Sequence, residues 1–282
     1  MLRRLFEQSR KNFRTVALIL PALIYVIVFL IIPYALLIPQ SFTHYTSYGF
    51  SGETYFTLEN FENVLSYGSV FLRTLRISLA LTVLCLVFGF PVAYFLAHTE
   101  KRRSLYIFFL IAPIMSGVIA RTYGWYALLG RVGIINQFLL VSGIISEPLA
   151  LLFTENAIIV GLLEINLPFM IIPIMSSLLQ IGPDVEQAAR TLGANRLQVF
   201  LRITLPLCLP GIVSGSILCF TLGLGAFATP LFLGGATNQV LTMLVYDEVM
   251  TILNWPFSSA ILLVLVVIVV IPAGLYLKMS RR

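Results

Sequence analysis

Charge is scarce in this sequence. Asp, Glu, Lys and Arg make up 11% of its 282 residues, whereas a soluble domain carries about 25%. A chain so poor in charge cannot cover itself with an ordinary wetted surface. Histidine is nearly missing, with only His44 and His98, which excludes an H-E-x-x-H zinc site. The three cysteines, Cys85, Cys208 and Cys219, lie in apolar runs without metal-ligand spacing. They read as small lipid- or core-facing side chains and carry no redox information. Lysine occurs at Lys11, Lys101 and Lys278 only, and none closes a G-x-x-x-x-G-K-[ST] phosphate loop. A G-x-S-x-G nucleophile elbow is also absent. These absences argue against an enzyme, and in particular against nucleotide hydrolysis on this chain.

Apolar residues are what the chain has in abundance: 59% of the total, with a mean hydropathy of +0.97. About 20 consecutive apolar residues cross the hydrocarbon core of a bilayer. Runs of that length predict six spans, at 16–38, 70–97, 105–129, 156–179, 207–229 and 257–278. The first follows Arg3, Arg4, Arg10, Lys11 and Arg14, like the basic start of a signal peptide. Its apolar run is too long for that role and no small-x-small cleavage site follows, so it is expected to remain as a span. The expected fold is all-α and integral to the membrane. A segment at 1–15 precedes a six-helix domain over 16–282.

Fourteen of the eighteen basic residues fall on one side of these spans. They comprise the N-terminal five, Lys101–Arg103, Arg190, Arg196 and Arg202, and Lys278, Arg281 and Arg282. The positive-inside rule makes that side, and both termini, cytoplasmic. Glu53, Glu59, Glu62, Glu147, Asp247 and Glu248 fall opposite. Orientation thus accounts for the net charge of +6 without a nucleic-acid partner. Trp125, Trp255 and the tyrosines from Tyr45 to Tyr55 mark the outer boundary, where aromatic belts form. In the outer loop at 39–69, Thr57 leads into Glu59, Asn60, Phe61, Val64 and Leu65 at helical spacing, predicting a short surface helix. Arg73 and Arg76, at the outer start of the second span, read as anchors reaching the headgroups. Gly211 and Gly215 read as close helix packing, and His98 as a solvated turn residue.

The stretch GPDVEQAARTLGANRLQVFLRITLP, at 182–206, is the most informative. Pro183 suits the first position of a helix, and Asp184 and Glu186 complement its positive end. Val185, Ala188, Ala189 and Leu192 recur on one face. Gly193 permits the left-handed residue that stops this helix, and Asn195 can cap a second at 196–203, ending where Pro206 begins the fifth span. A helix of about ten residues is marginal alone in water, so its apolar face needs a dock. That dock is either a groove on a cytoplasmic partner or the bilayer and the chain's own bundle.

This loop resembles the EAA loop of ABC-importer permeases: Glu-Ala-Ala, three residues, Gly, nine residues, Ile-x-Leu-Pro. Ala188, Ala189, Gly193, Ile203, Leu205 and Pro206 match; Gln187 stands at the family's glutamate, with Glu186 one position earlier. The segments TLENFENVL, GFPVAYFLA, RTYG, LPFMIIPIMSSL, LGGATN and NWPFSSA are similar to the polyamine-type group. The resemblance implies a multi-pass permease of the bacterial inner membrane that imports a small amine by alternating access. It implies a second, different permease chain, a separate ATPase dimer holding ATP and Mg, and an extracytoplasmic substrate-binding protein, all within membrane lipid. Val185, Glu186, Gln187, Ala188, Ala189, Leu192, Gly193, Ile203 and Pro206 would then couple to the ATPase. No cofactor or metal is expected on this chain.

Two charges, Arg121 and Glu164, interrupt span patterns roughly 24 Å from the inner boundary at 1.5 Å per residue. Such charges mark ion pairs or pathways. Arg121 and Glu164 either pair to fix packing or line a pathway, where Glu164 would offer a carboxylate to an amine and Tyr123 and Trp125 cation–π contacts. Intramembrane charges with Pro113, Pro168 and Pro173 would also suit an ion-gradient-driven secondary transporter. That rival leaves the 182–206 loop without a purpose.

Overall fold

The computed structural model describes residues 19–45 and 55–280. The basic segment at 1–15, the first residues of the first predicted span, Tyr48, Glu53, Arg281 and Arg282 lie outside the described residues. Among those described, every regular element is helical apart from one isolated bridge between Thr43 and Phe56. Among the described residues six helical stretches are long and apolar enough to cross a membrane, the third of them being Val118–Val141. The described residues fall into two compact units, one drawn from 1–66 and 248–264, the other from 67–247 and 265–282.

In the first unit, α1 (Ile19–Ser41) has exposed apolar side chains on all sides. A helix of that kind suits hydrocarbon rather than water. A π turn at Ile27–Ile31 precedes Pro33, whose ring lacks the N–H that an α turn requires. The predicted surface helix is α2 (Glu59–Ser66). Asn60 fastens it by donating Nδ2 to the carbonyls of Ser41 and Thr43 at 2.9 and 2.8 Å.

The second unit is built on α3 (Gly68–His98), α7 (Glu155–Ile181) and α9 (Arg196–Leu224), which pack against one another. Ile77, Leu81 and Cys85 from α3 meet Ile158, Met170 and Ile174 from α7, and Cys208 and Cys219 from α9. Gly211 and Gly215 let α9 approach α7 closely, as their spacing predicts. A Cβ at Gly211 would stand 2.6 Å from the Pro173 carbonyl oxygen.

The third predicted span is corrected. Residues 105–129 do not form one helix but α4 (Arg103–Met115) and α5 (Val118–Leu129), followed by α6 (Ile134–Val141). Pro113 has no N–H to continue the ladder, and Ser116 and Gly117 take extended ψ values of 141° and 142°. Thirteen residues make α4 about 20 Å long, short of the hydrocarbon core.

The loop after α7 forms α8 (Pro183–Thr191), and α9 begins at Arg196. The two short helices expected of the loop are therefore one helix and the first turns of a long one. A π turn at Phe200–Thr204 accommodates Pro206, so the proline does not separate 196–203 from the fifth span. Residues 230–252 form short turns and α10 (Leu241–Asp247), and α11 (Trp255–Ser280) closes the described chain.

Candidate functional site

The bend between α8 and α9 is made by local chemistry. Gly193 takes φ +90°. Its N–H donates to the Arg190 carbonyl at 3.0 Å and that of Ala194 to Ala189 at 3.1 Å, which satisfies the carbonyls that end α8. Asn195 and Gln198 then cap each other's backbone in a reciprocal box that starts α9.

The predicted apolar face of α8 is split. Val185 is 41% exposed and Leu192 89%, with Ala188 and Gln187 also outward, but Ala189 is only 8% exposed. The residue that shares the inner face with Ala189 is Glu186, also 8% exposed. At 100° per residue, positions 186 and 189 share a face that 188 and 192 do not, and tertiary packing has chosen the face holding the acid. The Thr204 hydroxyl, in the π turn of α9, donates to Glu186 Oε1 at 2.8 Å. His98 Nε2 and Arg190 Nη2 each lie 3.7 Å from Glu186 Oε2.

His98 is therefore not a free turn residue. Its Nδ1 lies 2.9 Å from the Tyr94 carbonyl, which can only accept, so that nitrogen carries the proton. Its ring also packs on Tyr94, with centroids 4.2 Å apart. Arg103 donates to the carbonyls of Leu96, Ala97 and Thr99, all at 3.0 Å, and so closes the end of α3 beside this cluster. Ile203 and Pro206 lie within or just after the π turn that carries Thr204.

At the opposite end of the same helices, Arg73 and Arg76 have a partner within the protein. Both face Glu155 on the first turn of α7: Arg73 Nε at 3.3 Å, and Arg76 Nη2 in closer contact. Arg73 also donates Nη1 to the Gln239 carbonyl at 3.1 Å. Sequence reading missed Glu155, because its partners are about eighty residues away and leave no local pattern.

Arg121 and Glu164 are not joined by an ion pair among the described residues. Arg121 donates Nη1 to the Pro113 carbonyl, which also accepts from the Ser116 N–H and hydroxyl where α4 breaks off. Glu164 instead accepts at Oε2 from the Trp125 indole Nε1 at 2.8 Å. Tyr123 points away from this pair and packs on Phe232, with ring centroids 5.3 Å apart. Of the four residues singled out, the structure thus unites Trp125 and Glu164 only.

A family model described as "Binding-protein-dependent transport system inner membrane component" matches residues 12–282. The chain is 36% identical over 260 residues to the spermidine/putrescine transport system permease protein PotB of Salmonella typhimurium (strain LT2). That match covers 91% of this chain and 90% of that protein. It is 35% identical over 260 residues to PotB of Escherichia coli (strain K12), covering 91% and 94%. Among solved structures, it resembles a bacterial ABC transporter involved in the import of the acidic polysaccharide alginate. The TM-score there is 0.74 at 21% identity, with 99% of each chain covered, which is a likeness of fold.

Proposed function

The chain belongs to the inner membrane components of binding-protein-dependent transport systems, and we propose that it serves a polyamine importer in which its 182–206 loop receives the motion of a separate ATPase. It is a multi-pass permease, a transporter subunit rather than an enzyme. Polyamine as cargo is supported by likeness over nine-tenths of the chain to permeases named for spermidine and putrescine. Family membership leaves the ion-gradient-driven reading without support.

The observation that carries the coupling role is the two-sided build of α8. Among the described residues Val185, Ala188 and Leu192 lie exposed, whereas Glu186 and Ala189 hold the helix to its own bundle. Exposed apolar side chains on a helix at i, i+3 and i+7 suit insertion into a groove of another protein. In this reading Gly193 sets the bend, and the π turn with Ile203 and Pro206 passes motion into α9. ATP and Mg belong to the ATPase dimer, a second permease chain completes the pathway, and a binding protein delivers cargo on the far side. The basic loops and both termini then face the cytoplasm.

Purification of the tagged chain should bring down an ATPase. Proteoliposomes holding the complex and its binding protein should take up labelled spermidine only with hydrolysable ATP. Uptake driven by an ion gradient without nucleotide would sink the proposal.

A further inference from the structure

We propose that the Glu164 carboxylate, steadied by the Trp125 indole, is a binding point for an ammonium group inside the membrane-spanning part of the permease. Glu164 is the tenth of the 27 residues of α7. At 1.5 Å per residue it lies about 13 Å from the Glu155 end of the helix, well within the hydrocarbon depth.

Charge accounting singles it out. Glu155 is matched by Arg73 and Arg76. Glu186 is matched by Arg190 and the Thr204 hydroxyl. Half-buried Glu164 receives one neutral donor, the Trp125 indole, and no ion pair among the described residues. Arg121, one helical turn before Trp125, donates Nη1 to the Pro113 carbonyl and makes no ion pair with Glu164 among the described residues. A carboxylate offers about four acceptor positions, and a charge left this bare within a membrane is costly until a cation joins it.

Pro168, four residues on, has no N–H to make the ordinary α-helical bond to the Glu164 backbone carbonyl. An ammonium brings one positive charge and three donors, and the Trp125 ring adds a cation–π face. A neutral solute would use this arrangement less well. The choice of spermidine as probe rests on the importer reading above, whereas the site itself requires only an amine.

The test uses the whole complex with its binding protein in proteoliposomes. Spermidine and methylammonium should each slow modification of Glu164 by a hydrophobic carbodiimide, whereas sorbitol should not. Glu164→Gln should lower spermidine uptake by about tenfold or more, the scale of a lost charged contact. The yield of assembled complex should be unchanged, and Glu164→Asp should recover part of the uptake. Equal modification with and without amines, or undiminished uptake by Glu164→Gln, overturns the site while leaving the importer reading intact. A fall in assembled complex with normal uptake per complex also overturns it, making Glu164 a contact between subunits. If the wild-type complex moves no polyamine, the cargo reading fails, and amine protection against the carbodiimide still decides the site.

Discussion

Replacing Glu186 with alanine tests whether α8 is clamped to the bundle. The Thr204 hydroxyl reaches the carboxylate at 2.8 Å, with the acid 8% exposed. A hydrogen bond to a buried charged group contributes about 1.5–3 kcal/mol. The His98 and Arg190 contacts, at 3.7 Å and with both bases about half exposed, are screened by water and add at most ~1 kcal/mol each. A nine-residue helix has little stability of its own. Its undocked fraction should therefore rise about 10- to 100-fold when the acid is removed. Hydrogen exchange of the α8 amides in the purified permease reads this directly, and ATP hydrolysed per solute imported reads its consequence. Thr204→Val should show a smaller effect in the same direction, and the double variant should fall short of the sum. Exchange in Glu186→Ala within twofold of wild type would refute the clamp.

The two alanines of the loop should separate by face. Ala188→Asp, on the exposed side, should leave folding intact while lowering ATPase association and import; Ala189→Asp, on the buried side, should reduce the yield of permease itself. Gly211→Val should lower the thermal midpoint of the purified chain, since its Cβ meets the Pro173 carbonyl oxygen at 2.6 Å; a midpoint equal to wild type contradicts the close α7–α9 approach. Single cysteines at Lys101 and Thr57 should differ in intact cells, with an impermeant thiol reagent labelling position 57 quickly and position 101 only after permeabilisation. The reverse pattern would invert the orientation.

Features set by neighbours in sequence were legible, and features set by distant partners were not. Spans one, two, four, five and six could be read because an apolar run of about twenty residues records membrane depth by itself. Gly193 and Asn195 predicted the α8–α9 bend because their partners lie within five positions. The third span was misread because hydropathy does not register backbone dihedrals, and the break lies in the extended ψ values of Ser116 and Gly117. Periodicity grouped Ala189 with Val185, Ala188 and Leu192, but the fold turned it inward with Glu186 because Thr204 and His98 wait there. Arg73 and Arg76 looked like lipid anchors for the same reason: Glu155 stands far along the chain.

The position of the inward acid Glu186 carries a last expectation. Relatives with the Glu-Ala-Ala pattern place glutamate where this chain has Gln187, and one residue along a helix is about 100° of rotation. Gln187 is exposed and Glu186 buried, so that single step decides whether the carboxylate faces outward or meets the chain's own α9. Exchanging the two, as Glu186→Gln with Gln187→Glu, keeps composition and net charge but returns the acid to the outer face. The amide oxygen placed at position 186 can still accept from Thr204, so only the charge-assisted part of that bond is lost, about 1 kcal/mol. Exchange of the α8 amides should then quicken by about fivefold, between wild type and Glu186→Ala. If the swapped chain protects α8 as well as the wild type does, the carboxylate's position is irrelevant. Packing of Ala189 would then hold the helix alone.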